Sequence, residues 1–152
     1  MMKYVMSLLG NEPIMAAIAG WAIAQIIKVF VNSVMARRFA WESIFASGGM
    51  PSSHSAFVTA LAVVIGAQNG LSSTAFAVAA AFALVVMYDA CGVRRAVGEQ
   101  AKVLNNIIEA LKENTQMGGE KAIKEILGHS PFQVVMGCLL GFLIGLLFYF
   151  VY

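Results

Sequence analysis

Residues 48–66 read GGMPSSHSAFVTALAVVIG, in which a polar segment is followed directly by an apolar one. The first eight residues hold two glycines, a proline, three serines and a histidine, and the rest are almost all apolar. Serine and proline directly before an apolar run are typical of a helix N-terminus. The stretch therefore predicts an apolar helix, from about Ser53 to Gln68, whose polar start is buried in protein or faces a water-filled pocket.

The composition of the whole chain indicates an integral membrane protein. Of its 152 residues, 60% are hydrophobic and 12% are charged, whereas soluble domains carry roughly 25% charged residues. The length predicts a single membrane domain, residues 1–152. The formal net charge of +2 gives no reason to expect a nucleic-acid partner. Cys91 and Cys138 lack metal-ligand spacing and the sequence has no His-x-x-His or His-x-x-Glu pair, so we expect no metal site, and we expect no other cofactor.

Four apolar runs predict an all-α bundle of membrane helices. They extend from about Ile14 to Met35, Ser53 to Gln68, Ser73 to Ala90 and Phe132 to Tyr152. Most reach the roughly 20 residues that a spanning helix needs. In the fourth run, glycines recur every four residues, which predicts close packing within the bundle or a homo-oligomer contact. These glycines are Gly137, Gly141 and Gly145.

The basic residues are concentrated in two of the connections between these runs. Eight lie there and Lys3 alone precedes the first run, so both connections are predicted to be cytoplasmic and both termini outside. The longer connection, about 91–130, predicts a cytoplasmic helical hairpin with helices at about 95–114 and 120–127. The eight residues are Arg37, Arg38, Arg94, Arg95, Lys102, Lys112, Lys121 and Lys124.

Polar side chains converge at the predicted cytoplasmic ends of the helices. His54 and His129 precede or start apolar helices, Lys28 lies in the first helix, and Asp89, Arg94 and Arg95 end the third. Helix N-termini, the Ser52 and Ser53 hydroxyls, lysine and arginine all bind phosphate. Two histidines can supply the nucleophile and the acid that phosphoester cleavage needs.

Each of these residues also has a structural interpretation. Lys28 can extend to the headgroups, Ser52 and Ser53 can cap a helix, and the arginines can serve as cytoplasmic anchors. Asp89 can pair with Arg94 or Arg95, although a carboxylate at a membrane boundary is also a functional candidate.

Three segments, GGMPSSHSA, VVMYDACGVRRAVGEQAKVLN and GHSPFQVVMGCLLG, resemble the divergent PAP2 family. Its members are small membrane proteins related to acid phosphatases and vanadium-dependent haloperoxidases. The resemblance extends from about Gln25 to Gly145. It implies that His129 attacks phosphorus, that His54 protonates the leaving group, and that Lys28, Ser52 and arginines hold the phosphoryl oxygens. Vanadate would then bind as a mimic of the pentacoordinate state.

The chain departs from the pattern of the wider superfamily at several positions. Ser53 stands where the Pro-Ser-Gly-His motif has glycine, and Gln133 stands where an aspartate orients the nucleophile. No Arg-Pro follows Lys28, and Ile123 replaces an arginine before His129, so Arg94 or Arg95 would have to serve. Asp89 or Glu125 would have to replace the missing aspartate.

Three functional hypotheses follow. The first is a membrane phosphatase for a lipid or prenyl phosphate, with an amphiphilic phosphate substrate and the bilayer as its partners. The second is a non-catalytic lipid-headgroup-binding protein that retains the phosphate pocket. The third is a small transporter subunit.

Overall fold

A computed structural model describes residues 2–41, 48–114 and 128–151 of the chain. The fold is all-α, which confirms the predicted class. The predicted short helix at 120–127 lies outside the described residues. The helices are α1 (Met2–Leu9), α2 (Glu12–Ala36), α3 (Ser53–Asn69), α4 (Thr74–Cys91), α5 (Val93–Asn114) and α6 (Pro131–Val151).

Side-chain caps fix where the long helices begin. Asn11 accepts from the Ile14 N–H before α2, and Ser73 accepts from the Phe76 N–H before α4 at 3.1 Å. Such caps satisfy donors that the first helical turn leaves without partners. At its other end α2 stops at Arg37, which adopts a left-handed conformation with φ 50°. The bounds predicted for the four apolar helices and for α5 fall within two residues of the observed ones.

The central helix of the bundle is α3, which packs between α2 and α6. A Cβ added at Gly20 of α2 would lie 3.0 Å from the Ala56 carbonyl oxygen. On the opposite side, a Cβ at Gly145 of α6 would lie 3.1 Å from the Ala60 carbonyl oxygen. Glycine thus lets both helices approach the α3 backbone as closely as small residues allow in membrane proteins.

The glycines of α6 all face α3 of the same chain. A Cβ at Gly141 would overlap the Ala56 carbonyl oxygen, and one at Gly145 would lie 2.7 Å from the Val63 Cβ. The glycine face is therefore filled within the bundle. A homo-oligomer through α6 stays a prediction, and it would have to use another face of the helix.

The helices alternate in direction, so that four helix ends meet at one end of the bundle. Gly20 lies opposite Ala56 while Lys28 lies opposite Gly49, which makes α2 and α3 antiparallel. At the far end, the Gln68 amide donates to the Glu12 carboxylate. The C-termini of α2 and α4 therefore lie beside the N-termini of α3 and α6. We call this end the basic end, after Arg37, Arg38 and Arg95.

Three described helical stretches are long and apolar enough to cross a membrane. They are Glu12–Ala36, Thr74–Ala110, which begins with α4, and Pro131–Val151. The fourth predicted segment, α3, has 17 residues and spans roughly 25 Å at about 1.5 Å per residue. It lies between α2 and α6, and the serines of its polar start, Ser52, Ser53 and Ser55, are buried, whereas His54 is exposed.

Beyond α4, the chain turns at Gly92 into the amphipathic helix α5. This helix matches the predicted helix at about 95–114. Its exposed apolar residues include Val97 and Leu104, and its other faces carry Glu99 and Lys102. The assignment of residues 91–130 to a cytoplasmic insertion stays a prediction.

Candidate functional site

The turn before α3 lies directly on a buried lysine. Lys28 of α2 is only 1% exposed. Gly49 has φ +104°, and a Cβ there would lie 3.1 Å from Lys28 Cγ and 3.2 Å from Cδ. Residues with a side chain rarely adopt this conformation. The backbone of the turn therefore rests on the aliphatic stem of Lys28, with Asn32 beside it.

Ser52 caps α3 and also connects it to α6. Its side-chain oxygen accepts from the Ser55 hydroxyl at 3.0 Å and from the Ser55 N–H at 3.4 Å. Its own N–H donates to the Gln133 carbonyl at 3.0 Å. Ser52 is fully buried and its neighbour Ser53 is 2% exposed. The N-termini of α3 and α6 are thus held together by a backbone hydrogen bond whose donor residue is fully buried.

A reciprocal cap starts α6. The Ser130 N–H donates to Gln133 Oε1 at 3.0 Å, and the Gln133 N–H donates to Ser130 Oγ at 3.3 Å. This is the capping box expected for serine followed three residues later by glutamine. Gln133, which stands where the superfamily has an aspartate, therefore has a structural task here as the N3 residue of α6.

The two histidines meet at this junction. The ring centroids of His54 and His129 are 6.2 Å apart, with an interplanar angle of 76°. The His129 N–H donates to the Ala90 carbonyl at 3.1 Å, which attaches the segment before α6 to the last turn of α4. His129 is completely buried, including both ring nitrogens, whereas His54 is exposed. One histidine thus faces solvent or headgroups and the other lies behind it.

The remaining predicted site residues lie at the edge of this junction. Asp89 is half-buried and directly precedes Ala90, which holds His129. Arg94 and Arg95 belong to the first turn of α5, and Arg95 is exposed. Asp89 thus neighbours in sequence the residue that holds the His129 backbone, and the two arginines follow one turn further along the chain.

The structural roles of several residues were not predicted from the sequence. Ser55 and Asn32 were missed because the resemblance, although it covers both positions, assigns neither of them a role. The capping role of Gln133 was also missed, although the Ser-Pro-Phe-Gln spacing of residues 130–133 is a recognisable signal for it. Within the described ranges, no group of three His, Cys, Asp or Glu side chains could hold a metal ion.

Comparison with known proteins identifies the family of the chain. Residues 9–144 match the sequence profile described as "Divergent PAP2 family". The chain belongs to the divergent PAP2 family. A family relative from Bacillus subtilis (strain 168), called "Uncharacterized membrane protein YuiD", is 40% identical over 151 residues. The match covers 93% of this chain and 96% of that relative. No solved structure matches the chain.

The divergent PAP2 assignment and the membrane-protein relative agree with the apolar helices described above. The protein is therefore a PAP2-related membrane protein.

Proposed function

We propose that this divergent PAP2 protein is a phosphatase that hydrolyses a lipid or prenyl phosphate through a phosphohistidine intermediate. The observation that carries the proposal is the pairing of the His54 and His129 rings at 6.2 Å. The pair lies where the N-termini of two helices are joined by the hydrogen bond between the Ser52 N–H and the Gln133 carbonyl.

The electrostatics of this junction favour an anion. Each helix N-terminus carries partial positive charge and directs N–H groups outward. Lys28 adds a buried cation beneath the turn, and Arg95 adds an exposed one near the same end. Preorganised positive groups of this kind stabilise the charge that develops on a transferring phosphoryl group.

In the first step of the proposed reaction, a ring nitrogen of His129 attacks phosphorus. The bond between phosphorus and the lipid oxygen breaks, and His54 in its protonated form donates a proton to that oxygen. Water then attacks the phosphorus of the phosphohistidine while His54 accepts a proton from it. The phosphorus–nitrogen bond breaks, inorganic phosphate leaves, and both histidines return to their starting states.

The burial of His129 places a requirement on this reaction. Because His129 has no exposed surface, a phosphoryl group reaches it only when a neighbouring side chain moves. His54 is the exposed ring that meets His129 edge to face. A rotamer change of His54 would therefore admit the phosphoryl group and leave the acid beside the leaving oxygen.

We also place the site at the cytoplasmic face of the membrane. The basic end of the bundle carries Arg37, Arg38 and Arg95, and basic residues next to membrane helices favour the cytoplasmic side. The substrate phosphate would then lie at headgroup level in the inner leaflet.

A non-catalytic headgroup-binding protein is the second candidate, and Gln133 favours it. In the superfamily an aspartate at this position orients the nucleophile, but here the amide oxygen accepts from the Ser130 N–H. A neutral amide supplies no charge to stabilise an imidazolium. The anion site would persist without the chemistry unless another carboxylate, such as that of Asp89 beside Ala90, replaces the missing one.

Phosphate release from purified protein in lipid nanodiscs distinguishes these candidates. Wild type is expected to release phosphate from at least one of phosphatidate, prenyl phosphate and prenyl diphosphate. His129→Gln and His54→Gln should each lose at least about a hundredfold, the usual scale of general acid–base catalysis. Asn69→Ala, at the opposite end of α3, serves as the matched control.

The outcomes separate the three hypotheses. Binding of lipid phosphates without phosphate release by any variant would overturn the phosphatase proposal and favour the headgroup-binding protein. Uptake of the phosphate compound into sealed vesicles without its hydrolysis would favour a transporter subunit. A phosphorylated protein whose label is lost in acid and kept in alkali would support the phosphohistidine step.

A further inference from the structure

A groove between α4 and α6 has no part in the reaction described above. Its volume is about 570 Å³, within the roughly 300–1,000 Å³ that ordinary ligand sites occupy. Apolar atoms dominate its walls. The lining residues are Leu84, Val85, Met87, Tyr88, Cys91 and Val134.

One end of the groove lies next to residues that hold the site together. Cys91 directly follows Ala90, whose carbonyl accepts the His129 N–H at 3.1 Å. Val134 directly follows Gln133 in the first turn of α6. The other end is at Leu84, seven residues earlier on α4 and thus roughly 10 Å further from the basic end. The groove therefore extends from the candidate site into the apolar part of the bundle.

The surface changes from cationic to apolar along the groove. At the basic end are two helix N-termini, buried Lys28 and exposed Arg95, which together attract an anion. From Cys91 to Leu84 the described lining side chains are hydrocarbon apart from one thiol, one thioether and one phenol. This charge pattern complements a molecule with an anionic head and a single apolar chain.

We infer that the α4–α6 groove binds one hydrocarbon chain of a phosphate amphiphile whose phosphoryl group lies at His54 and His129. The inference rests on the proposed function and specifies that the substrate carries a long hydrocarbon chain. A two-chain lipid would place one chain in the groove and leave the other in the bilayer, whereas a prenyl phosphate would place its only chain there.

A second groove, of about 470 Å³, lies along α2 and the segment after it. It contains the polar residues Gln25 and Ser33, and the Ser33 hydroxyl accepts from the Ala40 N–H at 3.0 Å. His129 is bonded to α4 and precedes α6. Of the two grooves, the α4–α6 groove is therefore the one whose helices both adjoin His129. Among the described residues, those that line the α2 groove are Gln25, Ile26, Val29, Phe30, Ser33 and Phe39.

The inference is tested with a long-chain alkyl phosphonate that carries a diazirine near the end of its chain. Its phosphorus–carbon bond is not hydrolysed, so labelling reports binding alone. Wild-type protein should be labelled on α4 and α6. Val85→Trp fills the groove and should lower labelling about tenfold, because it removes the burial of a few methylene groups.

Val78→Trp is the matched control. Val78 and Val85 lie on the same helix and are 65% and 67% exposed, but only Val85 lines the groove. Labelling of Val78→Trp should equal that of wild type. Val29→Trp fills the α2 groove and should also leave labelling unchanged.

The results separate this inference from the proposed function. Labelling that is unaffected by Val85→Trp, or that is lost only in Val29→Trp, would overturn the groove assignment even if phosphate is released. Labelling lost only in Val85→Trp would support the groove, and it would do so even if no lipid phosphate is hydrolysed. If phosphate is released, Val85→Trp should impair the prenyl phosphate and phosphatidate but spare a short-chain phosphate monoester.

Discussion

Gly137 brings α6 so close to Ser52 that a Cβ at position 137 would overlap the Ser52 carbonyl oxygen. The same Cβ would lie 3.0 Å from the Ser55 Cβ. This contact sets the distance between the starts of α3 and α6, and with it the hydrogen bond from the Ser52 N–H to the Gln133 carbonyl. The spacing of the two histidines therefore depends on a residue that carries no functional group.

Gly137→Ala should destabilise the bundle and impair the site together. Overpacking of this kind usually costs about 1 to 3 kcal/mol, more than the roughly 1 kcal/mol that alanine gains over glycine in a helix. Thermal unfolding in detergent measures the first effect and phosphate release or phosphonate binding the second. Gly10→Ala, whose Cβ would come no closer than 3.4 Å to Met6 O, should change neither. An unaltered melting temperature for Gly137→Ala would contradict the observed contact.

Lys28→Met should keep the fold and lose anion affinity. Methionine replaces the buried stem at similar length, but it leaves the group that interacts with the ammonium without its partner, so some loss of stability is expected. If Lys28 holds a phosphoryl oxygen, kcat/KM should fall about a hundredfold or more, the scale seen when one transition-state donor is removed. Lys3→Met, an exposed lysine on α1, is the control.

The two measurements on Lys28→Met discriminate between its interpretations. A lysine that only extends toward the headgroups would leave kcat/KM and phosphonate binding at wild-type values. If Lys28 binds phosphate, Lys28→Met should lower both, and by more than the change in unfolding temperature accounts for.

Gln133 should tolerate glutamate but not alanine. Glutamate at the N3 position preserves the capping box and places negative charge near a helix N-terminus, which is favourable. Alanine removes the acceptor of the Ser130 N–H and should cost about 0.5–2 kcal/mol, as loss of a cap does. Thermal unfolding of both variants checks this. Equal stability of Gln133→Ala and wild type would show that the cap does not contribute to the free energy of unfolding.

Cysteine labelling tests the orientation of the bundle. In a protein whose Cys91 and Cys138 are replaced by alanine, Asn69→Cys should react with an impermeant maleimide from outside the cell. Asn114→Cys, at the end of α5, should react only after the membrane is permeabilised. Reaction of position 69 from outside and of position 114 from inside would show that the basic end is cytoplasmic. Reaction of both positions from the same side would refute the assignment.

The helices were predictable because the chain marks them in two independent ways. Apolar runs of 17 to 25 residues are bounded by residues that cap helices, such as Asn11 and Ser73. The stripe from Val97 to Ile108 likewise indicated α5. Neither signal depends on contacts distant in sequence, so hydropathy and capping rules were sufficient.

The packing around the site was not predictable in the same way. The spacing of Gly137, Gly141 and Gly145 indicated a close contact but not its partner, since α3 and a second chain would suit the pattern equally. The role of Ala90 is carried by its carbonyl group, which every residue type possesses. Contacts made through the backbone leave no trace in residue identity, so only the structure could reveal them.

The bond between the Ser52 N–H and the Gln133 carbonyl has an evolutionary consequence. A main-chain bond survives almost any substitution at either position, so the scaffold that supports the junction is insensitive to drift in the side chains it displays. Replacing a catalytic aspartate by glutamine, or a motif glycine by serine, would alter reactivity without dismantling the architecture. Such a protein can change its chemistry, or abandon it, while inheriting the same bundle.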